Sequence, residues 1–298
     1  MSRNPPDHTT ASRPYRKVPM SVTLFNPASL FQFMAEVLGP LRFGVYLIWP
    51  CVAFGAYAAI FNWTENQAHI ERIFLTLGFF QHLLISILTA NLFSKLMLGT
   101  TMAYHGVLPQ VFGIRLLFGI LPRFFVYKRP VRELPFGKQR SCYSAPLLTK
   151  LAMFGIGMLM WAVLRRSGTG AADLFLTLSI TGLGAFLFTA NPLWPADGYN
   201  WLSAWLKRPH LRKQSLRLTK MLLTGNGLPK GIRDREVAAL LLYAVLSVGF
   251  SALIIFLALQ TIALTLEDRL RGTGVIIFCI ILALFTIFLT SLKSGKRR

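Results

Sequence analysis

VAALLLYAVLSVGFSALIIFLALQTIALTL, residues 237–266, is thirty consecutive residues without an Asp, Glu, Lys or Arg. As a helix rising 1.5 Å per residue, it is longer than the roughly 20 residues that carry a chain across the hydrocarbon of a bilayer, so it spans with tilt or extends beyond. Five further apolar runs accompany it, over 43–61, 73–98, 145–164, 174–190 and 275–290. Of 298 residues 54% are hydrophobic, and the mean hydropathy is +0.52. These numbers predict an all-α polytopic membrane protein with about six transmembrane helices.

The charge is lopsided: 32 Lys and Arg against 11 Asp and Glu, a net +21. In a soluble protein such a balance would suggest nucleic acid. Here the cations sit between the apolar runs, which predicts cytoplasmic loops and anionic lipid head groups as partners and no nucleic acid. The stretch from Arg123 to Lys150 carries seven cations and only Glu133 against them, and Pro195 to Glu236 carries nine cations and three acids. Both are expected in the cytoplasm, as are both termini, while the short connection with Glu65 and Glu71 faces outside. Arg165 and Arg166, on the outer side of a turn, are the exception to that pattern. Cys51, Cys142 and Cys279 include no C-x-x-C pair, which argues against a thiolate metal site or a disulfide framework.

The organisation follows from these boundaries. Residues 1–24 read as a disordered cytoplasmic tail. Residues 25–41 place Leu30, Phe31, Phe33, Met34, Val37 and Leu38 at helical spacing and predict an amphipathic helix at the membrane surface. Residues 42–215 form a membrane core, 216–236 a basic cytoplasmic linker, and 237–298 a two-helix membrane hairpin with a basic tail. Within the core, 107–127 is apolar but broken by Pro109, Gly113, Gly119 and Pro122, which predicts a hairpin or re-entrant segment packed on the bundle. Lys95 stands near the end of its run and is expected to snorkel. Gly155-x-Gly157 and Gly182-x-Gly184 would let helices approach closely, as internal packing or partner faces. Trp161, Trp194, Trp201 and Trp205 are expected as interface anchors.

One polar constellation stands out, Asn191-Pro192-Leu193-Trp194-Pro195-Ala196-Asp197-Gly198-Tyr199. It resembles the Asn-Pro-Leu-x-x-x-Asp-Gly-Tyr element of the site-2-protease-like membrane zinc metallopeptidases, in particular their bacterial peptide zinc metallopeptidase branch. Gly106, Gly113, Pro122 and Phe124 match a second element of that family in order and spacing, so the resemblance covers roughly 25–215. It implies a site-2-protease-like core in which Asp197 takes the place of the third zinc ligand. Counting back from Gly106 by the family's spacing places its His-Glu-x-x-His on Ser94 to Leu98. The first histidine is then Ser94, the glutamate Lys95 and the second histidine Leu98, and no His-Glu dipeptide occurs elsewhere.

Zinc requires imidazole or carboxylate ligands and a nearby base to activate its water. A protonated lysine is no base, and leucine ligates nothing. The sequence therefore predicts no catalytic residue, no metal and no other cofactor, with Ser94, Lys95, Leu98 and Asp197 as a vestigial site. Asn191, Pro192, Leu193, Gly198, Tyr199, Gly106, Gly113 and Pro122 remain as structural motif. His82 and His105 read as interior or interfacial histidines. Asp197 has two readings: it caps the helix beginning near Tyr199, or it pairs with Lys95 across the old site. The expected function is a catalytically inactive, metallopeptidase-like subunit or scaffold in the bacterial inner membrane. Its expected partners are other membrane or periplasmic subunits, including a membrane-fusion adaptor of an export or envelope system. The alternatives are a transporter or channel subunit, and an active zinc peptidase that would bring His82 or His105 into the site.

Overall fold

A computed structural model describes residues 21–39, 45–74, 76, 78–117, 121–167, 170–224 and 234–270. The chain divides into two compact units, Met1–Ala190 and Asn191–Arg298. It is a largely helical, multi-pass membrane protein. Among the described residues, four helices are long and apolar enough to cross a bilayer, and a fifth span results if one sharply bent helix pair counts as one. The sixth expected span, 275–290, lies outside the described residues.

In the first unit, α1 (Ala28–Leu38) forms where the amphipathic pattern predicts it. The Asn26 side chain accepts the Ala28 N–H at 3.2 Å at its start, and Phe31 is fully buried. Helix α2 (Ile48–Phe61) ends at Asn62, whose side chain donates to the Ala58 carbonyl at 2.8 Å. The chain then bends by 84° into α3 (Trp63–Phe74), which is amphipathic and buries Asn66 and Ile73. Helix α4 (Gly78–Tyr104) runs six residues past the expected end of its span. Hydropathy fades at Lys95, but Leu98 and Met102 remain fully buried, and the Phe31 ring sits against Gly99, where a Cβ would come within 2.4 Å of it. Burial, not hydropathy, carries this helix onward.

After Gly106, at φ +83°, the broken segment is a β-hairpin and not a helical re-entrant loop. Strands β2 (Phe112–Leu117) and β3 (Leu121–Val126) pair antiparallel from Phe112 with Val126 to Leu117 with Leu121. The strand β1 (Ser21–Phe25) pairs with the other edge of β2, giving the order β1-β2-β3. The all-α expectation fails here, and residues 21–24, expected in the disordered tail, are strand. Phe112 joins the sheet to the bundle, its ring 5.4 Å from Phe25, 6.3 Å from Phe31 and 5.8 Å from Phe124. An open-edged sheet cannot lie in lipid, so this layer belongs outside the hydrocarbon.

Helix α5 (Phe136–Leu164) starts nine residues before the expected span and includes Pro146. Lys138, Arg140 and Lys150 are therefore helical residues rather than members of a loop. Helix α6 (Gly170–Ala190) packs antiparallel on α5 through small residues. A Cβ at Gly157 would meet the Phe175 carbonyl oxygen at 2.9 Å, and one at Gly182 the Lys150 carbonyl oxygen at 2.9 Å. Gly155 instead faces α2, where a Cβ would stand 2.7 Å from the Cys51 carbonyl oxygen, and Gly184 has nothing within 4 Å. Three of the four glycines are thus internal packing positions.

The second unit comprises α7 (Asp197–Trp205), α8 (Leu211–Leu223) and α9 (Asp234–Leu270). The first residues of the expected linker, 216–223, are part of α8. Leu211 and Leu218 of α8 form a buried cluster with Val237, Leu240 and Tyr243 of α9, against which Leu193, Tyr199 and Leu202 pack. His210, in left-handed backbone at φ 60°, reverses the chain into α8.

Candidate functional site

The sequence places the vestigial site on α4, and the three positions there share one property. Ser94 and Leu98 are 0% exposed and Lys95 is 5% exposed. Lys95 is nine residues from the end of α4, about 14 Å along the axis, so the expected snorkelling anchor is a buried interior lysine. The Ser94 hydroxyl donates to the Ala90 carbonyl of its own helix at 2.6 Å. Such back-bonding satisfies a serine hydroxyl within a helix.

A second buried cation lies in the same bundle. Lys150 on α5 is 7% exposed, and its ammonium donates to the Thr189 hydroxyl on α6 at 2.8 Å. Thr189 in turn donates to the Ala185 carbonyl at 2.6 Å. The last turns of α4 and the early turns of α5 line one cavity, so Lys95 and Lys150 are measured from the same end of the bundle. Lys150 is about 21 Å from the start of α5, and it reaches back toward Thr189, next to the last residue of α6. Both lysines therefore branch from positions well inside spanning helices, where ionisable side chains are costly and mark function or a specific structural role, and the Lys150 side chain carries its ammonium back to the end of α6.

The Asn191 to Tyr199 element is a folded corner of the second unit. The Asn191 side chain accepts the Leu193 N–H at 2.9 Å, an Asx turn that starts the reversal. The Pro192 carbonyl accepts from the Tyr243 hydroxyl at 2.9 Å, and the Leu193 carbonyl accepts from Ser247 at 3.1 Å. The Tyr199 hydroxyl accepts the Arg212 N–H at 3.2 Å. Asp197 and Gly198 are buried. Asp197 is the first residue of α7, where the helix dipole favours a carboxylate, and Ala196 occupies the N-cap position. Of the other motif residues, Gly106 supplies the left-handed turn after α4, Gly113 is buried in β2 and Pro122 lies in β3.

Among the described residues, no three His, Cys, Asp or Glu side chains converge as a metal site. His82 and His105 each have one buried ring nitrogen without a protein hydrogen-bond partner, Nδ1 and Nε2 respectively. Burial, and secondarily the positive charge of Lys138, holds the His105 pKa below its ordinary value.

A polar network at the other end of the first unit is one that the sequence does not predict. Trp161, expected at the interface, is fully buried, and its indole N–H donates to His69 Nδ1 at 3.2 Å. Asp173 lies 3.8 Å from that nitrogen and accepts from Arg72 at 3.1 Å. Arg165 pairs with Glu65 and Asn62 and stacks over Trp161 at 5.6 Å. Arg165, one of the two arginines that break the loop-charge pattern, is thus paired locally. The only sequence signal was the clustering of Glu65, Arg72, Arg165 and Asp173 at the ends of apolar runs. Trp201 and Trp205, by contrast, are partly exposed and stacked, with centroids 6.3 Å apart.

Comparison with protein families, with curated proteins and with solved structures finds no match for this chain.

Proposed function

We propose that the chain is a non-catalytic subunit or scaffold of a membrane complex, built on the plan of the site-2-protease-like peptidases and resident in a bacterial inner membrane. The observation carrying this reading is the burial of Ser94, Lys95 and Leu98 together on α4. The positions at which the resemblance would put metal ligands and a base point inward, yet they offer a hydroxyl already bonded to its own helix, an ammonium and an isobutyl group. None of these generates a nucleophilic water or polarises a carbonyl as a zinc site does. Residues of the Asn191 to Tyr199 corner that resemble the family's motif serve folding, through Tyr243, Ser247 and Arg212. The partners on this reading are other membrane or periplasmic subunits, with a membrane-fusion adaptor as the leading candidate.

A second reading, a transporter or channel subunit, draws on the two buried lysines in spanning helices. Purification in mild detergent, with mass spectrometry of what accompanies the chain and metal analysis of the same sample, separates the readings. A stoichiometric partner and less than about 0.1 zinc per chain support the scaffold. A lone chain that passes solute in proteoliposomes supports the transporter, and about one zinc with chelator-sensitive peptide cleavage overturns both.

A further inference from the structure

The first unit contains a cavity of about 420 Å³ between α1, the beginning of α2, the last two turns of α4 and the early turns of α5. Its size falls within the roughly 300–1,000 Å³ of small-molecule sites. Val45, Ile48, Met97, Ala145 and Leu148 give its wall an apolar character. Six hydroxyls also line it, and four of them are turned into their own helices. Thr100 donates to the Leu96 carbonyl at 2.9 Å, Thr101 to Met97 at 2.8 Å, Ser144 to Ser141 at 3.0 Å and Thr149 to Ala145 at 2.8 Å. Their protons are spent, so they have little to offer a polar guest. A space walled in this way suits hydrocarbon.

The border of the cavity carries charge. Lys138 and Arg140 are exposed on the first turns of α5, immediately before the lining residue Ser141. Lys138 also acts electrostatically on His105, the neighbour of the lining residue Tyr104. Across residues 123–140 six cations face a single acid, Glu133. Basic pockets between membrane helices beside an apolar slot recognise anionic lipids by charge and chain together.

We propose that this cavity is a binding site for one acyl chain of an anionic phospholipid, whose phosphate lies against Lys138 and Arg140. The chain fills the space beneath α1, and the head group stays at the water boundary. The site is independent of whether the protein is a scaffold or a transporter.

Native mass spectrometry of the delipidated full chain tests this with three probes: phosphatidylglycerol, phosphatidylcholine with the same chains, and oleate. The wild type should retain one phosphatidylglycerol at least about tenfold more tightly than phosphatidylcholine, a difference of one decade in Kd. Ala145→Phe, which fills the cavity, should weaken phosphatidylglycerol about tenfold, and Val45→Phe in the turn leading into α2 serves the same purpose if the first variant does not fold. Lys138→Gln with Arg140→Gln should reduce phosphatidylglycerol to the level of phosphatidylcholine. Unchanged phosphatidylglycerol binding in both filled variants would overturn the proposal in favour of surface charge alone. Oleate bound as tightly as phosphatidylglycerol would also overturn it, by assigning the site to a free fatty acid.

Discussion

Changing Gly155, Gly157, Gly182 and Gly184 to alanine, one at a time, should divide them three to one. The new Cβ would stand 2.7 Å from the Cys51 carbonyl oxygen at position 155, and 2.9 Å from a carbonyl oxygen of the facing helix at positions 157 and 182; at 184 it meets nothing within 4 Å. Ordinary contact begins near 3.4 Å. The helices therefore have to separate locally by about 0.7 Å in the first case and about 0.5 Å in the other two, the differences from that contact distance. Overpacking of this kind costs about 1–3 kcal/mol, against a gain of about 1 kcal/mol for alanine over glycine within a helix. The helix gain is common to all four, so Gly184→Ala is its internal control. Subtracting it leaves the steric cost, about 1–3 kcal/mol for each of the other three. Denaturant unfolding in detergent micelles gives the four values. Equal shifts for all four variants, or greatest damage from Gly184→Ala, would refute the reasoning.

His105 has a folded-state pKa below its unfolded value of 6.5, so the unfolded chain takes up its proton first. The stability it contributes is present above about pH 6.5 and falls as the pH drops through the folded pKa. His105→Gln should flatten the decline in melting temperature between pH 7.5 and 5, and an unchanged decline would assign it to other groups. Cysteine in place of Glu65 should react with an impermeant thiol reagent from outside, and cysteine in place of Lys213 should not. Outer labelling at 213 would break the orientation taken from loop charge.

Spanning helices were readable because an uncharged apolar run of about 20 residues matches the thickness of a bilayer's hydrocarbon and is longer than a soluble core helix needs. Their ends were not, since hydropathy sees composition and helices end where packing ends. Lys95 and Lys150 both fell at apparent boundaries for that reason, and both lie inside helices held by neighbours distant in sequence. The sheet was obscured by Gly113 and Pro122, residues that break helices and also occur in strands of a small, edge-rich sheet. Its third strand lay in a tail whose composition suggested disorder, and Val22 to Phe25 become a strand only by pairing with residues some ninety positions later. The His69, Trp161 and Asp173 contacts are likewise between separate helices. Ser94, Lys95 and Leu98 were located by spacing alone, whereas their common burial required the fold.

The pairing of β1 with β2 constrains how the chain is threaded through the membrane. Two hydrogen-bonded strands share one compartment, so the chain from Phe25 to Phe112 must make an even number of crossings. Helix α4 makes one, which obliges the bent pair of α2 and α3 to supply the other. If α4 inserted upside down, Phe112–Leu117 would emerge on the far side and β1 would lose its template. The small sheet thus acts as a parity check on insertion, closing only after the first hairpin of the protein has been laid down in the correct sense.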